Sequence, residues 1–361
     1  MLRLEARAQP SKLMSLASPV LALVLTALIA AVLFALLGKD PVKGLGIFFV
    51  EPLSGLRQFS EVLLKATPLI VIALGLAVCY RSNVWNIGAE GQYLLGALAG
   101  GGVALWLTTQ GIVLPKIVAV PLVLIGGVLG GIAWAAITAL LRDKFNASEI
   151  LVSLMLVYVA QQLVNYMVFG PWKDPAGFNF PQTKNFDAST WLPNLLSGTR
   201  LHIGFIIALV AAGLTWVFMF RMFRGYQLQV GGLAPDAARY AGFSASTSLW
   251  TALMISGGLA GLAGAMDAIG PIRQITPHMS TGLGFTAIIV CFVGRLHPVG
   301  VVFAGLLLSM MLIGGELGQS RLGLPNALTG VFQGLLLVLL LACDTLIHYR
   351  VRLRSALAPA H

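Results

Sequence analysis

Arg81-Ser82-Asn83-Val84-Trp85-Asn86-Ile87-Gly88-Ala89-Glu90-Gly91-Gln92 is a polar stretch set between two apolar runs, Val62–Tyr80 and Tyr93–Leu107. Asn83, Asn86, Glu90 and Gln92 stand here among Gly88 and Gly91, with apolar sequence close on both sides. Two readings are open. Irregular backbone at membrane depth survives only when buried in protein or lining a cavity, and discontinuous helices of this kind form transporter binding sites. Equally, the stretch reads as an ordinary turn at the membrane surface, followed by a helix whose first turn holds Glu90. A carboxylate in that position complements the helix dipole.

Working outward, further apolar runs fall at Leu16–Leu37, Ile117–Leu141, Ile150–Phe169, Leu201–Phe220, Leu249–Ile269, Phe285–Val293, Val299–Ile313 and Ala327–Ile347. With the two flanking runs this makes ten, of which Phe285–Val293 and Val299–Ile313 are short. A spanning helix takes roughly 20 mostly apolar residues, so ten fit in 361 residues with loops to spare. Composition points the same way: 58% of residues are hydrophobic and 10% charged, and mean hydropathy is +0.88. A soluble chain needs more charge than this to cover its surface. A soluble enzyme, a disordered tail and a collagen-like fibre are excluded. The expectation is an all-α polytopic membrane bundle of about ten transmembrane helices, residues 1–361 forming a single transmembrane domain.

The net charge of +10 does not point to nucleic acid, because the basic residues form no stripe with interleaved aromatics. They cluster beside apolar runs, as the positive-inside rule expects. Arg142 with Lys144, Arg221 with Arg224, and Arg350 with Arg352 and Arg354 fall on one side if both termini are cytoplasmic. The first apolar run is too long for a signal-peptide core and reads as an uncleaved helix. Residues 170–200 are then the longest external loop, an ordered cap or short surface helices. Glycines four apart (Gly96 and Gly100, Gly126 and Gly130, Gly127 and Gly131, Gly257 and Gly261) predict close helix packing.

Two further segments depart from lipid-exposed helix. In Arg142–Glu149, Asn146 and Glu149 have the spacing of a reciprocal N-cap; a partner contact is the other reading. In 221–248, Pro235, Asp236 and Gly242 frame a short helix, with proline at its first turn, acid at its N-terminus and glycine at its end. That helix would lie along the cytoplasmic face as a handle for another protein. Cys79, Cys291 and Cys343 show neither metal nor disulfide spacing and read as small core residues. The five histidines are scattered, so no metal site or catalytic cluster is expected.

Arg81-Ser-Asn-Val-Trp-Asn-Ile-Gly-Ala-Glu-Gly-Gln-Tyr-Leu-Leu-Gly-Ala97 resembles the signature of permease subunits of bacterial ABC importers for nucleosides and simple sugars, within the larger ribose and branched-chain amino acid permease group. Ala237-Ala-Arg-Tyr-Ala-Gly242 resembles that family's coupling segment. Gly284-Phe-Thr-Ala-Ile-Ile-Val290 with Gly294-Arg-Leu-His-Pro-Val-Gly300 resembles its late signature. The similarity runs from about Glu61 to Asp344. It implies a type II ABC importer permease fold in the bacterial inner membrane. It also implies a second permease subunit in a heterodimer, a cytoplasmic ABC ATPase carrying ATP and Mg, and an extracytoplasmic binding lipoprotein. The coupling contact to the ATPase would be Pro235, Asp236, Ala238, Arg239 and Tyr240. Asn86, Glu90, Gln92 and Thr286 would line or gate the pathway. Ala234 and His297 stand where related sequences usually carry Asn, which weakens inference about the solute.

The chain has no Gly-x-x-x-x-Gly-Lys-[Ser/Thr] loop of its own, consistent with ATP hydrolysis on a separate subunit and alternating access driven from there. The rival is an ion-coupled secondary transporter, which often uses carboxylates at mid-membrane. Asp267 and Glu316 are the nearest candidates, and are expected instead near the outer surface, paired with Arg273 or Arg321. A membrane enzyme is the weaker rival. A pathway with Asn, Gln and Thr and little charge suits an uncharged polar solute: a nucleoside or nucleobase first, a simple sugar second.

Overall fold

The computed structural model describes residues 2–7, 11–279, 281–325 and 327–353. In chain order the elements are β1 (Leu2–Ala6), α1 (Lys12–Leu36), α2 (Pro41–Leu45), α3 (Leu56–Arg81), α4 (Ala89–Thr109), α5 (Lys116–Phe145), α6 (Glu149–Phe169), α7 (Gly204–Arg221), α8 (Phe223–Leu233), α9 (Pro235–Tyr240), α10 (Ala245–Asp267), α11 (Leu283–Val293), α12 (Pro298–Leu322), α13 (Ala327–His348) and β2 (Tyr349–Leu353).

Among the described residues, 8 helices are long and apolar enough to cross a bilayer: α1, α3, α5, α6, α7, α10, α12 and α13. The two expected spans that fall short differ in cause. The third, α4, has 21 residues but is diluted by Glu90, Gln92 and its glycines. The eighth, α11, has only 11 residues. The ninth run is not short, since α12 extends over 25 residues. Its helical hydrogen bonding continues through Gly314–Leu322, where the apolar pattern has already stopped.

The described residues divide into two compact units, one from 1–54 with 310–361 and one from 55–309. In the first, α1 packs on α13, and Phe34, Phe48 and Phe332 form an aromatic cluster with ring centroids 5.4–5.6 Å apart. The Ser18 hydroxyl donates to Asp344, and Arg321 pairs with Glu51. β1 and β2 pair antiparallel, with Arg3 opposite Arg352 and Glu5 opposite Arg350. This ribbon departs from a purely α fold. Its source is the period-two alternation of apolar and polar residues in Leu2–Ala6 and Tyr349–Leu353. Arg354, of the C-terminal basic cluster, and His361 lie outside the described residues.

In the second unit, α3 and α10 are buried almost throughout, while α5, α6 and α7 keep an open face. The glycine spacing explains the tight α4–α5–α10 packing. A Cβ at Gly131 would lie 2.7 Å from the Gly261 Cα, and one at Gly96 would collide with the same glycine. Residues 170–203 form an ordered cap over the segment that follows α10. Thr183 N and Phe186 N donate to the carbonyls of Ile275 (3.1 Å) and Arg273 (2.9 Å), and Leu192 N donates to that of Ile269 (3.2 Å).

The α5–α6 junction corrects one expectation. Asn146 does not cap α6. It ends α5 in the left-handed conformation, φ 50°, and accepts from Arg142 Nη1 at 3.0 Å. Glu149 pairs with the same arginine at 3.2 Å. Asn tolerates left-handed backbone because its short amide bonds locally, and that outcompetes the cap here.

Candidate functional site

The broken segment begins where α3 ends and finishes where α4 starts, at Gly88. Its depth follows from its partners. Asn86 Nδ2 donates to Ser256 Oγ at 3.0 Å, and Ser256 is the twelfth residue of the 23-residue α10. At 1.5 Å per residue this lies about 16 Å from either end of that helix. α3 descends antiparallel to α10, Gly75 against Ser256 and Cys79 Sγ donating to the Ala252 carbonyl at 3.2 Å. The chain therefore turns at Ser82 and climbs back to mid-helix depth before α4 begins. Of the two readings of this stretch, the fold takes the irregular backbone buried half-way along α10.

Asn86 organises it. Its Nδ2 also donates to Gln92 Oε1 (2.9 Å), and its Oδ1 accepts from Gln92 Nε2 (3.2 Å) and from Gly88 N (3.0 Å). Its carbonyl accepts from the Tyr80 hydroxyl at 3.1 Å, and Ile87 N donates to Ser153 Oγ at 3.1 Å. Four helices, α3, α4, α6 and α10, thus meet through one side chain and its neighbours. Asn86, Glu90 and Gln92 are all fully buried. Of these partners, Ser153, Ser256 and Tyr80 were not recognisable from sequence; the serines stand as lone polar residues inside apolar runs.

Glu90, in the first turn of α4, reaches a second helix start. Its carboxylate accepts from Gly282 N at 3.1 Å and from Gly284 N, so it satisfies amides that the N-terminus of α11 leaves unbonded. Thr286, also on α11, is buried one turn further on. α4 and α11 thus both begin near Glu90 and leave in opposite directions, since α11 ends beside Arg81. Arg81 Nε donates to the Leu296 carbonyl at 2.8 Å.

The carboxylate of Asp267 does not pair with Arg273. It accepts from the Tyr93 hydroxyl at 2.8 Å and is buried. Arg273 instead stacks over Trp191, 4.0 Å from its ring centroid, and Arg321 is taken by Glu51. Near the same end, His202 is buried and its Nδ1 accepts from Gly204 N at 3.1 Å. Burial pushes its imidazole down to about 4, so it is neutral at pH 7.

α9 is the opposite kind of site. Pro235 opens it, Asp236 occupies its first turn and Gly242, at φ +79°, follows its end, as the residue types require. Ala238 is buried, but Pro235, Asp236, Arg239 and Tyr240 are exposed, Tyr240 at 96%. Beside α9 opens a cavity of about 730 Å³ lined by Arg142, Asp143, Glu149, Asp236, Arg239 and Ser246. No cluster of three or more His, Cys, Asp or Glu suited to a metal occurs among the described residues.

Buried helix starts, a broken helix at depth and an exposed helix on the same chain are the parts of a membrane permease. The family model for the branched-chain amino acid transport system/permease component matches residues 58–341, and the chain belongs to that family. It is 33% identical over 360 residues to a glucose ABC transporter permease protein of Haloferax volcanii, covering 97% of this chain and 93% of that one. It is 30% identical to a nucleoside ABC transporter permease protein of Lactococcus lactis, covering 87% of each. It is 29% identical to a guanosine ABC transporter permease protein of Bacillus subtilis, covering 91% of this chain and 93% of that one. No solved structure matches significantly. The chain is a multi-pass ABC transporter permease subunit and not an enzyme. It works in a multi-subunit system whose ATPase is a separate chain. Nothing in these likenesses favours the ion-coupled alternative.

Proposed function

We propose that this subunit forms, with a second permease subunit in a heterodimer, the pathway of an importer for a nucleoside or nucleobase, a simple sugar being the second choice. The solute preference rests on the names of the relatives and on the scarcity of charge. The observation that carries the reading is the pairing of a polar network buried half-way along α10 with an exposed helix, α9, on one chain. Pro235, Asp236, Ala238, Arg239 and Tyr240 contact a cytoplasmic ATPase, which binds ATP and Mg. A binding lipoprotein delivers the solute from outside, and both termini lie in the cytoplasm of a cell bounded by this inner membrane.

Alternating access then has a defined task. Asn86, Glu90 and Gln92 spend their polar atoms on protein partners, so with Thr286 they gate the pathway by exchanging those partners. ATP shifts the bundle only through a difference in affinity for its two arrangements. The test is reconstitution of the permease pair with its ATPase and lipoprotein in liposomes, followed by uptake of labelled guanosine, other nucleosides and glucose. ATP-dependent uptake of one class is expected. Uptake by the permease alone down a sodium or proton gradient would overturn the reading.

A further inference from the structure

Resting on the importer reading above, the geometry points to Arg81 as the residue that transmits movement of α9 to the broken segment. Its side chain ties three places together: α8, which leads directly into α9; the end of α3; and the turn between α11 and α12.

Arg81 Nη1 donates to Gln229 Oε1 on α8 at 3.1 Å. Gln229 is held in turn, its Nε2 donating to the Met219 carbonyl at 2.5 Å. Arg81 Nε donates to the Leu296 carbonyl at 2.8 Å, and its guanidinium lies 5.0 Å from the Phe220 ring centroid. That ring also contacts His297, centroids 5.2 Å apart. One planar group therefore addresses α7, α8 and the α11–α12 turn together, which its fork of donors allows and an ammonium does not.

The backbone makes the same connection. Gly232, near the end of α8, packs directly on the α3 terminus. A Cβ there would collide with the Arg81 carbonyl and come within 2.9 Å of Ser82 Cα. α9 begins three residues later. From Ser82 the chain runs straight into Asn86 and its network. On the far side of the clamp, Arg295 and Leu296 both hold left-handed backbone, φ 55° and 52°. Neither residue type favours that conformation, so the turn Arg81 grips is strained and has an incentive to change shape when released. A push on α9 moves α8, α8 moves the α3 terminus through Gly232 and Gln229, and the broken segment and α11 respond together.

Adjacent glycines provide the test. A Cβ at Gly231 would meet nothing nearer than Ser248 Oγ at 3.9 Å, so Gly231→Ala and Gly232→Ala make the same change to helix preference with opposite steric results. In the reconstituted wild-type complex and its variants, solute imported per ATP hydrolysed is measured. Arg81→Ala and Gly232→Ala are expected to lower that ratio at least tenfold, Arg81→Lys to fall between Ala and wild type, and Gly231→Ala to stay within twofold of wild type. An unchanged ratio in Arg81→Ala or in Gly232→Ala overturns the assignment, as does an equal fall in Gly231→Ala. A wild-type complex that imports nothing on ATP sinks the importer reading itself, which keeps the two failures distinct.

Discussion

Residues 81–92 and 221–248 are both polar interruptions of an apolar chain, yet they fold to opposite ends. In the first, Asn86, Glu90 and Gln92 are buried and bonded to protein groups. In the second, α9 turns Asp236, Arg239 and Tyr240 outward and keeps only Ala238 inside. A buried polar group needs its bonds made, and leaving one unmade costs more than making it gains. The first interruption is therefore part of what holds the unit together. Within the second, α8 packs on the end of α3, whereas α9 contributes little to the fold and leaves its polar face open.

The contrast can be broken at its strong end. Asn86→Leu leaves Gly88 N, the Gln92 amide and the Ser256 hydroxyl without their partner. At about 1–3 kcal/mol for each unmet buried group, partly relieved by relaxation, the loss is roughly 3–5 kcal/mol. Thermal unfolding of the purified subunit in detergent should show a midpoint lower by about 5 °C. A shift of a degree or two would mean that the network is decoration and that the two interruptions are alike.

Next comes a titration at a third polar position. His202 has its imidazole pushed down to about 4 by burial, against about 6.5 for an exposed histidine. The unfolded chain therefore binds the extra proton first, and stability present above pH 6.5 is lost as pH falls toward 4. By pH 5 the loss is about 2 kcal/mol. His202→Gln should flatten the pH 7.5 to pH 5 difference in unfolding midpoint. An equal slope in both proteins would place the sensitive group elsewhere.

A smaller effect tests how far the network extends. Ser153→Ala removes the acceptor for Ile87 N alone, and about 1 kcal/mol should go with it. A cost matching that of Asn86→Leu would show that α6, and not Asn86, anchors the broken segment.

Much of this was legible in the sequence and some was not, for physical reasons. Hydropathy located the helices, because lipid imposes one length and one chemistry. It misjudged α12, whose polar end still completes its helical bonds, and it could not see a ribbon that depends on residues 2–6 meeting 349–353. Asn86, Glu90 and Gln92 stood out as polar residues in an apolar setting. Their partners Ser153 and Ser256 did not, since a serine inside a helix can bond its own preceding turn and so carries no long-range signal. The pairing of Asp267 with Tyr93 rather than Arg273 was unreadable for a like reason: nearness in sequence favoured the arginine, while the fold brought up a residue 174 positions away.

The weakest expected effect on the fold falls on Arg239, and it separates the two interruptions most sharply. Its side chain is exposed on a helix of 6 residues, beside the cavity that Asp236 and Arg142 also line. Arg239→Glu should therefore shift stability by less than about 0.5 kcal/mol, well below any change within residues 81–92. If the ATPase covers this surface, as proposed, charge reversal acts instead on association, because like charges brought together there cost several kcal/mol. The variant should fold and insert as wild type does, melt at the same temperature, and fail to retain the ATPase on co-purification. If Arg239→Glu kept both the ATPase and ATP-driven uptake, α9 would not be the coupling contact, and its exposure would need another explanation. If it melted much earlier, the second interruption would be structural after all, and the contrast with residues 81–92 would collapse.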